Sequence, residues 1–303
     1  MFVLHPDPYL LPNYLISPFI TKDVVFNHNL PDSDIIDAYL EGRFINRNFY
    51  YTLNGRSALH LALSKYKLKK DDVVTILTTS GNLYISSCVT GEIEKFCKWS
   101  REIEKETKAI IVNHEFGYPI ENIEDLKSYN LPIIEDCAHS FFSRDKAKLI
   151  GTIGEFAVYS FPKMFPIQIG GLLVHKENLN PGPDPGLDNT TLRYIKNVLS
   201  FHIPKREDII DKRIQNYSLL ADKFSSLGFS EKFALEAGYI PGVFMFSVED
   251  DSLDLDEMKK HFYAHGIQCS VFYGERAFFI PCHQNLRESD LDYFLAVMNA
   301  FKN

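Results

Sequence analysis

The sequence predicts an α/β fold: a mostly parallel sheet covered by helices, followed by a smaller α+β unit. Three observations carry this. Short, continuously apolar runs, among them Val73–Leu77 (VVTIL), Ala109–Asn113 (AIIVN), Leu131–Ile134 and Phe156–Ser160, alternate with segments of helical period. Strands that are apolar at every position are buried on both faces, the condition of a parallel sheet between helix layers. A proline- and glycine-rich segment, Asn180–Asp188 (NPGPDPGLD), then separates this region from one of different pattern and reads as a linker or lid. Finally, 303 residues that are 45% hydrophobic suffice for one large or two moderate cores.

In chain order, Ala58–Tyr66 reads as helix, Val73–Leu77 and Ala109–Asn113 as strands, and Ile120–Ser128 as helix. Leu131–Ile134, Phe156–Ser160 and Gly171–His175 (GLLVH) complete the strands of a first domain, set at residues 1–180. The second, residues 181–303, is mostly helical over Thr191–Leu227, with a strand at Val243–Val248. An amphipathic helix over Leu255–His265 ends at Gly266, and Asp290–Phe301 closes the chain as a helix.

Composition narrows the function. A net charge of −8 and a pI near 5.7 oppose nucleic-acid binding, and the one dense basic run, Lys65–Lys70, reads as a solvated helix end. The N-terminal MFVLHPDPYLLPNY lacks a basic start and is broken by three prolines, so neither a leader nor a membrane span is expected. Five irregularly spaced cysteines suggest reduced thiols and a cytoplasmic setting.

Ligands of such sheets bind beyond the carboxyl ends of the strands, so the polar residues there matter most. Asn54-Gly55-Arg56-Ser57 leads into a helix, where free N–H groups and the positive dipole end suit an anion. An ordinary N-cap is the plainer alternative. In Leu131–Ser140 an apolar strand runs into Glu135, Asp136, Cys137 and His139, and a turn there would aim Asp136 and His139 at one ligand. Ser160-Phe161-Pro162-Lys163, followed by Gly170-Gly171, places a lysine in apolar company. Burial disfavours its ammonium form and makes the amine nucleophilic; a lysine whose head snorkels to water is the alternative.

Together these groups meet the needs of a pyridoxal-phosphate site: an amine, a carboxylate for the pyridine nitrogen, phosphate donors and a flat group over the ring. At about 3 Å and an effective dielectric near 20, a carboxylate–pyridinium pair is worth roughly 5 kcal/mol before desolvation. A Cys–His enzyme or metal site built from Cys137, His139, Cys282 and His283 competes, but no metal-ligand spacing is met.

From NGRSALHLAL through KAIIVNHEFGYPIENIEDL and LPIIEDCAHSFFS to GTIGEFAVYSFPKMFPIQIGGLLV, about residues 50–175, the chain resembles the DegT/DnrJ/StrS family of pyridoxal-phosphate sugar aminotransferases. The resemblance implies an aspartate-aminotransferase-like fold. It assigns Lys163 to the covalent cofactor link, Asp136 to the pyridine nitrogen and His139 to the phenolic oxygen. Ser160 and the turn Gly55, Arg56, Ser57 fall to the phosphate, and Tyr84 to stacking on the ring. It further implies a keto-sugar substrate, nucleotide-linked, an amino donor such as glutamate, and a homodimer.

Departures from the family pattern point to an alternative. Ser160 and Lys163 are three positions apart instead of the family's five, and Arg56 stands where a threonine is usual. No Asn-Tyr-Arg segment follows the double glycine, and the chain is shorter than typical members. A catalytically altered or inactive relative that binds a sugar or regulates a partner is the second reading.

Overall fold

The structure, a computed structural model, describes residues 13–145 and 148–302; the first twelve residues of the proline-broken N-terminal segment lie outside them. Two short helices, α1 (Asp23–His28) and α2 (Ile35–Arg43), precede the main sheet. Its strands are β1 (Arg47–Thr52), β2 (Val73–Thr78), β3 (Lys98–Ser100), β4 (Thr107–Asn113), β5 (Ile133–Asp136), β8 (Phe156–Ser160) and β9 (Gly171–Lys176). A small hairpin, β6 (Arg144–Asp145) with β7 (Lys148–Leu149), interrupts them, and α3 (Gly55–Ser64) and α4 (Ser87–Ile93) lie between the early strands.

The strand order is β1-β9-β8-β5-β4-β2-β3. From β8 to β3 every pairing is parallel, while β9 and β1 add antiparallel strands at one edge. The apolar strands are buried on both faces. Leu59, Leu63 and Ile93 of α3 and α4 pack on Val74, Ile76, Ile111 and Ile134, while Leu40, Val198 and Leu199 cover Ala157, Leu172 and Val174 from the other side.

Beyond the Pro/Gly segment come α5 (Asn189–His202) and α6 (Arg206–Ser225). A four-stranded antiparallel sheet follows, in the order β10-β11-β13-β12, built from β10 (Ser230–Glu231), β11 (Val243–Ser247), β12 (Ser270–Val271) and β13 (Ala277–Pro281). The helices α7 (Leu255–Ala264) and α8 (Glu288–Lys302) pack on it. α5 joins the large core, and α6 runs from that core at Ile209 into the small one at Tyr217, Leu220 and Phe224.

Two expectations shift. Ile120–Ser128 forms a 3-10 turn, Ile123–Tyr129, between left-handed Asn122 (φ 56°) and Asn130 (φ 53°), so no α-helix develops there. The strand expected at Leu131–Ile134 instead spans Ile133–Asp136, because Glu135 and Asp136 pair with Val112 and Asn113 on one side and with Ala157 and Val158 on the other. The acids therefore belong to the strand. Sequence periodicity did not reveal β1, β3, α1, α2 or α4. β1, an edge strand of sequence RNFYYT, has only Thr52 buried.

Candidate active site

The ends of β4, β5 and β8 and the start of α3 open on a cavity of about 550 Å³. Asn54 caps α3 by accepting from the Ser57 N–H at 3.0 Å, which leaves the Gly55 and Arg56 N–H groups without an intrahelical acceptor. The helix end is pressed against β8: a Cβ on Gly55 would lie 3.3 Å from Ser160 Cβ. The supporting turn is tied to the Pro/Gly segment, since Leu53 N–H donates to Asp184 Oδ2 at 2.9 Å.

The two acids at the end of β5 point to opposite faces, as neighbours on a strand must. Asp136 faces the cavity, accepting from Asn113 Nδ2 (3.1 Å) and Ala138 N–H (3.0 Å). Burial raises its pKa above the ordinary aspartate value, with the Ala138 N–H, His114 and the Lys163 charge pulling the other way. Glu135 faces away and accepts from the N–H groups of Gly151 (2.8 Å), Ile153 (2.7 Å) and Gly154 (2.6 Å) and from His114 Nε2 (3.2 Å). Burial alone would raise its pKa, but these donors, His114 foremost, hold it below the ordinary value.

Lys163 ends the one-turn helix Phe161–Lys163 that leaves β8. It is half-buried on the cavity wall, and among the described residues its ammonium has no hydrogen-bonding or ion-pair partner. Burial lowers its pKa, with Cys88 and Asp136 opposing. His139 is held far below the ordinary histidine value by burial, then by Lys163 and Arg213, so its ring is neutral. Its Nδ1 has no hydrogen-bond partner, and its ring lies 5.1 Å from that of Phe116.

Tyr84 reaches the cavity from the loop before α4, backed by Phe272 (5.4 Å), just after β12, and by Phe279 (6.3 Å) of β13. Gly55, Arg56, Tyr84, Asp136, His139, Ser160 and Lys163 thus line one cavity. Ser57 does not line it; its N–H serves the cap. Asn113, Ser86, Cys88, Phe116, Gln168 and Phe279 also line it, and none of them stands out in the sequence as a site residue. For Asn113 the signal was there, one strand end beside another.

The competing Cys–His set is not brought together. Cys137 lies in the large core and Cys282 in the small one, its thiol pushed up to about 12 by burial. Among the described residues, the side chains whose ligand atoms converge are instead His114, Glu135 and Cys137. Here His114 Nδ1 accepts from the Ile120 N–H (3.1 Å), so its proton sits on Nε2 and points at Glu135. That ring has no lone pair free.

Residues 95–179 match the DegT/DnrJ/EryC1/StrS aminotransferase family. The chain is 35% identical over 159 residues to GDP-perosamine synthase of Escherichia coli O157:H7, covering 44% of this chain and 43% of that protein. It is 32% identical over 124 residues to the dTDP-3-amino-3,6-dideoxy-alpha-D-galactopyranose transaminase of Aneurinibacillus thermoaerophilus, covering 36% and 34%. The matches thus span less than half the length of these curated relatives. In fold, the chain superposes on the aminotransferase TlmJ of Streptoalloteichus hindustanus with a TM-score of 0.71 at 15% identity, over 93% of this chain and 94% of that one.

Proposed function

From a chain that carries a DegT/DnrJ/EryC1/StrS aminotransferase domain over residues 95–179, we propose a pyridoxal-phosphate-dependent aminotransferase. Its substrate is a keto-sugar, nucleotide-linked, and its amino donor an amino acid such as glutamate. One observation carries the reading: an unpaired lysine amine, a braced carboxylate and the free N–H groups of a helix start line the same cavity.

The residues fit the cofactor. When bound, pyridoxal phosphate supplies an aldehyde that condenses with amines and a ring that accepts electron density. Asp136, kept from rotating by Asn113 and Ala138, would hold the proton at the pyridine nitrogen. The Gly55 and Arg56 N–H groups, the Arg56 guanidinium and the Ser160 hydroxyl would hold the phosphate, with Ser57 serving through the cap. Neutral His139 would stand at the phenolic oxygen and Tyr84 over the ring. Lys163 would anchor the cofactor and then carry the proton taken from the substrate carbon on Nζ, a role suited to an amine whose pKa burial has lowered.

The reading includes a homodimer working in the cytoplasm on small molecules, without nucleic acid. Among the described residues no helix is long and apolar enough to cross a membrane. Adding pyridoxal phosphate to purified protein should give visible absorbance and, after borohydride reduction, a cofactor mass on the Lys163 peptide; Lys163→Ala should lose both. A wild type that takes up no cofactor refutes the proposal. Uptake without any half-reaction with amino donors would point to the altered relative instead.

A further inference from the structure

Arg213, on α6, is fully buried, and among the described residues no carboxylate pairs with it. Its donors go to neutral oxygens: Nε to Gln284 Oε1 (2.8 Å), Nη1 to the Pro241 carbonyl (3.1 Å) and Nη2 to the Lys163 carbonyl (2.9 Å). Gln284 turns its own Nε2 to the Met164 carbonyl at 2.9 Å. The carbonyls of Lys163 and Met164 are thus held by α6 and by the segment that follows β13. The third contact, Pro241, precedes Gly242, whose N–H donates to the Phe116 carbonyl (2.6 Å) and on which a Cβ would lie 2.7 Å from His139 Nδ1. One guanidinium therefore fixes the backbone beneath the amine and beside the imidazole.

Packing does not account for it. A buried cation facing only neutral acceptors loses its hydration without gaining an ion pair, and an apolar side chain would fill the space at lower cost. A planar fork, however, can address three acceptors in fixed directions, as neither an apolar chain nor an ammonium can.

We propose that Arg213 is a positioning residue for Lys163: its fork, completed by Gln284, locks the Phe161–Met164 turn to α6 and to the segment after β13 and sets where the amine stands in the cavity. This rests on the reading of Lys163 as the reactive amine.

The test compares wild type, Arg213→Met, Arg213→Lys and Gln284→Ala without added cofactor, using trace acetic anhydride labelling across a pH series read by mass spectrometry, with exposed Lys105 as internal reference. In wild type Lys163 should be half-labelled at lower pH than Lys105. In both Arg213 variants that midpoint should rise by about one pH unit, a tenfold drop in free amine at neutral pH, as the loosened turn admits water. Hydrogen exchange should quicken in the 161–167 peptide and not in β4.

A midpoint unchanged in Arg213→Met, or fully restored by Arg213→Lys, overturns the proposal. If the Arg213 variants do not fold, Gln284→Ala decides, and an unchanged midpoint there overturns it equally. Cofactor uptake by wild type reads the proposed function separately: shifted midpoints without uptake support the clamp and sink the cofactor, and the reverse sinks the clamp alone.

Discussion

Glu135→Gln changes one atom in a fully walled site, and its cost can be worked from the bonds around it. Oε1 accepts from the Ile153 and Gly154 N–H groups, and Oε2 from the Gly151 N–H and His114 Nε2. Whichever way the new amide turns, an NH2 group faces two donors. Two bonds to a charged acceptor, about 1.5–3 kcal/mol each, are lost. Easier burial of an amide than of an ionised carboxylate offsets part of this, leaving a net loss of roughly 2–4 kcal/mol. That is a large fraction of the 5–15 kcal/mol typical of a domain. The loop so released, around Gly151–Gly154, feeds β8 and hence Ser160 and Lys163.

The assay is equilibrium urea unfolding. The Glu135 carboxyl is held below its ordinary value when folded, so its stabilisation is full above the unfolded value of about 4.3 and fades as pH falls through the folded one. The gap between variant and parent should therefore narrow in acid. A loss under about 1 kcal/mol at neutral pH, or a gap that widens in acid, would refute the assignment of Glu135 as the anchor of this loop.

Asp136→Asn should behave in the opposite way. Burial raises the Asp136 pKa, so its charge is a burden on the folded chain; the variant should unfold at equal or higher urea while binding pyridoxal phosphate at least tenfold more weakly, measured by absorbance titration. His283 is buried with its pKa pushed down to about 3 by burial, against about 6.5 unfolded, so stability is full above the unfolded value and declines as pH falls. Between pH 7 and 5 it should account for roughly 2 kcal/mol of lost stability. A His283→Asn variant whose unfolding midpoint drops over that range as far as the parent's would contradict this. Gly117 has φ +102°, and a Cβ there would lie 2.1 Å from the Ile240 carbonyl oxygen. Gly117→Ala should lower stability by roughly 3 kcal/mol or more, and calorimetry showing an unchanged Tm would disprove that.

The apolar runs announced the parallel strands, because burial on both faces leaves a signature in each strand alone. β1 was silent for the converse reason: it alternates only partly and takes its place from antiparallel pairing with β9, a partner more than a hundred residues away. The cavity wall was legible where chemistry concentrates at strand ends, at Asp136, His139, Ser160 and Lys163. Asn113 became visible only with the pairing of β4 and β5, which sets it beside Asp136. The roles of Glu135 and Asp136 could not be told apart from their order, since strand phase alone sends one into the cavity and the other to the loop. Arg213 and Gln284 gave no signal, being ordinary polar residues in a helix and a loop until both meet the turn after β8.

The path of α6 through both cores bears on how such a chain can be recombined. The Pro/Gly segment looks like a natural crossover point, but α5 and the first turns of α6 lie beyond it and still pack with the larger sheet. A hybrid joined there would take its girder from one parent and the surface it rests on from the other. The seam that inheritance would respect runs along the helix, near where Ile209 gives way to Tyr217. Arg213, between them, would travel with whichever parent also supplies the lysine turn.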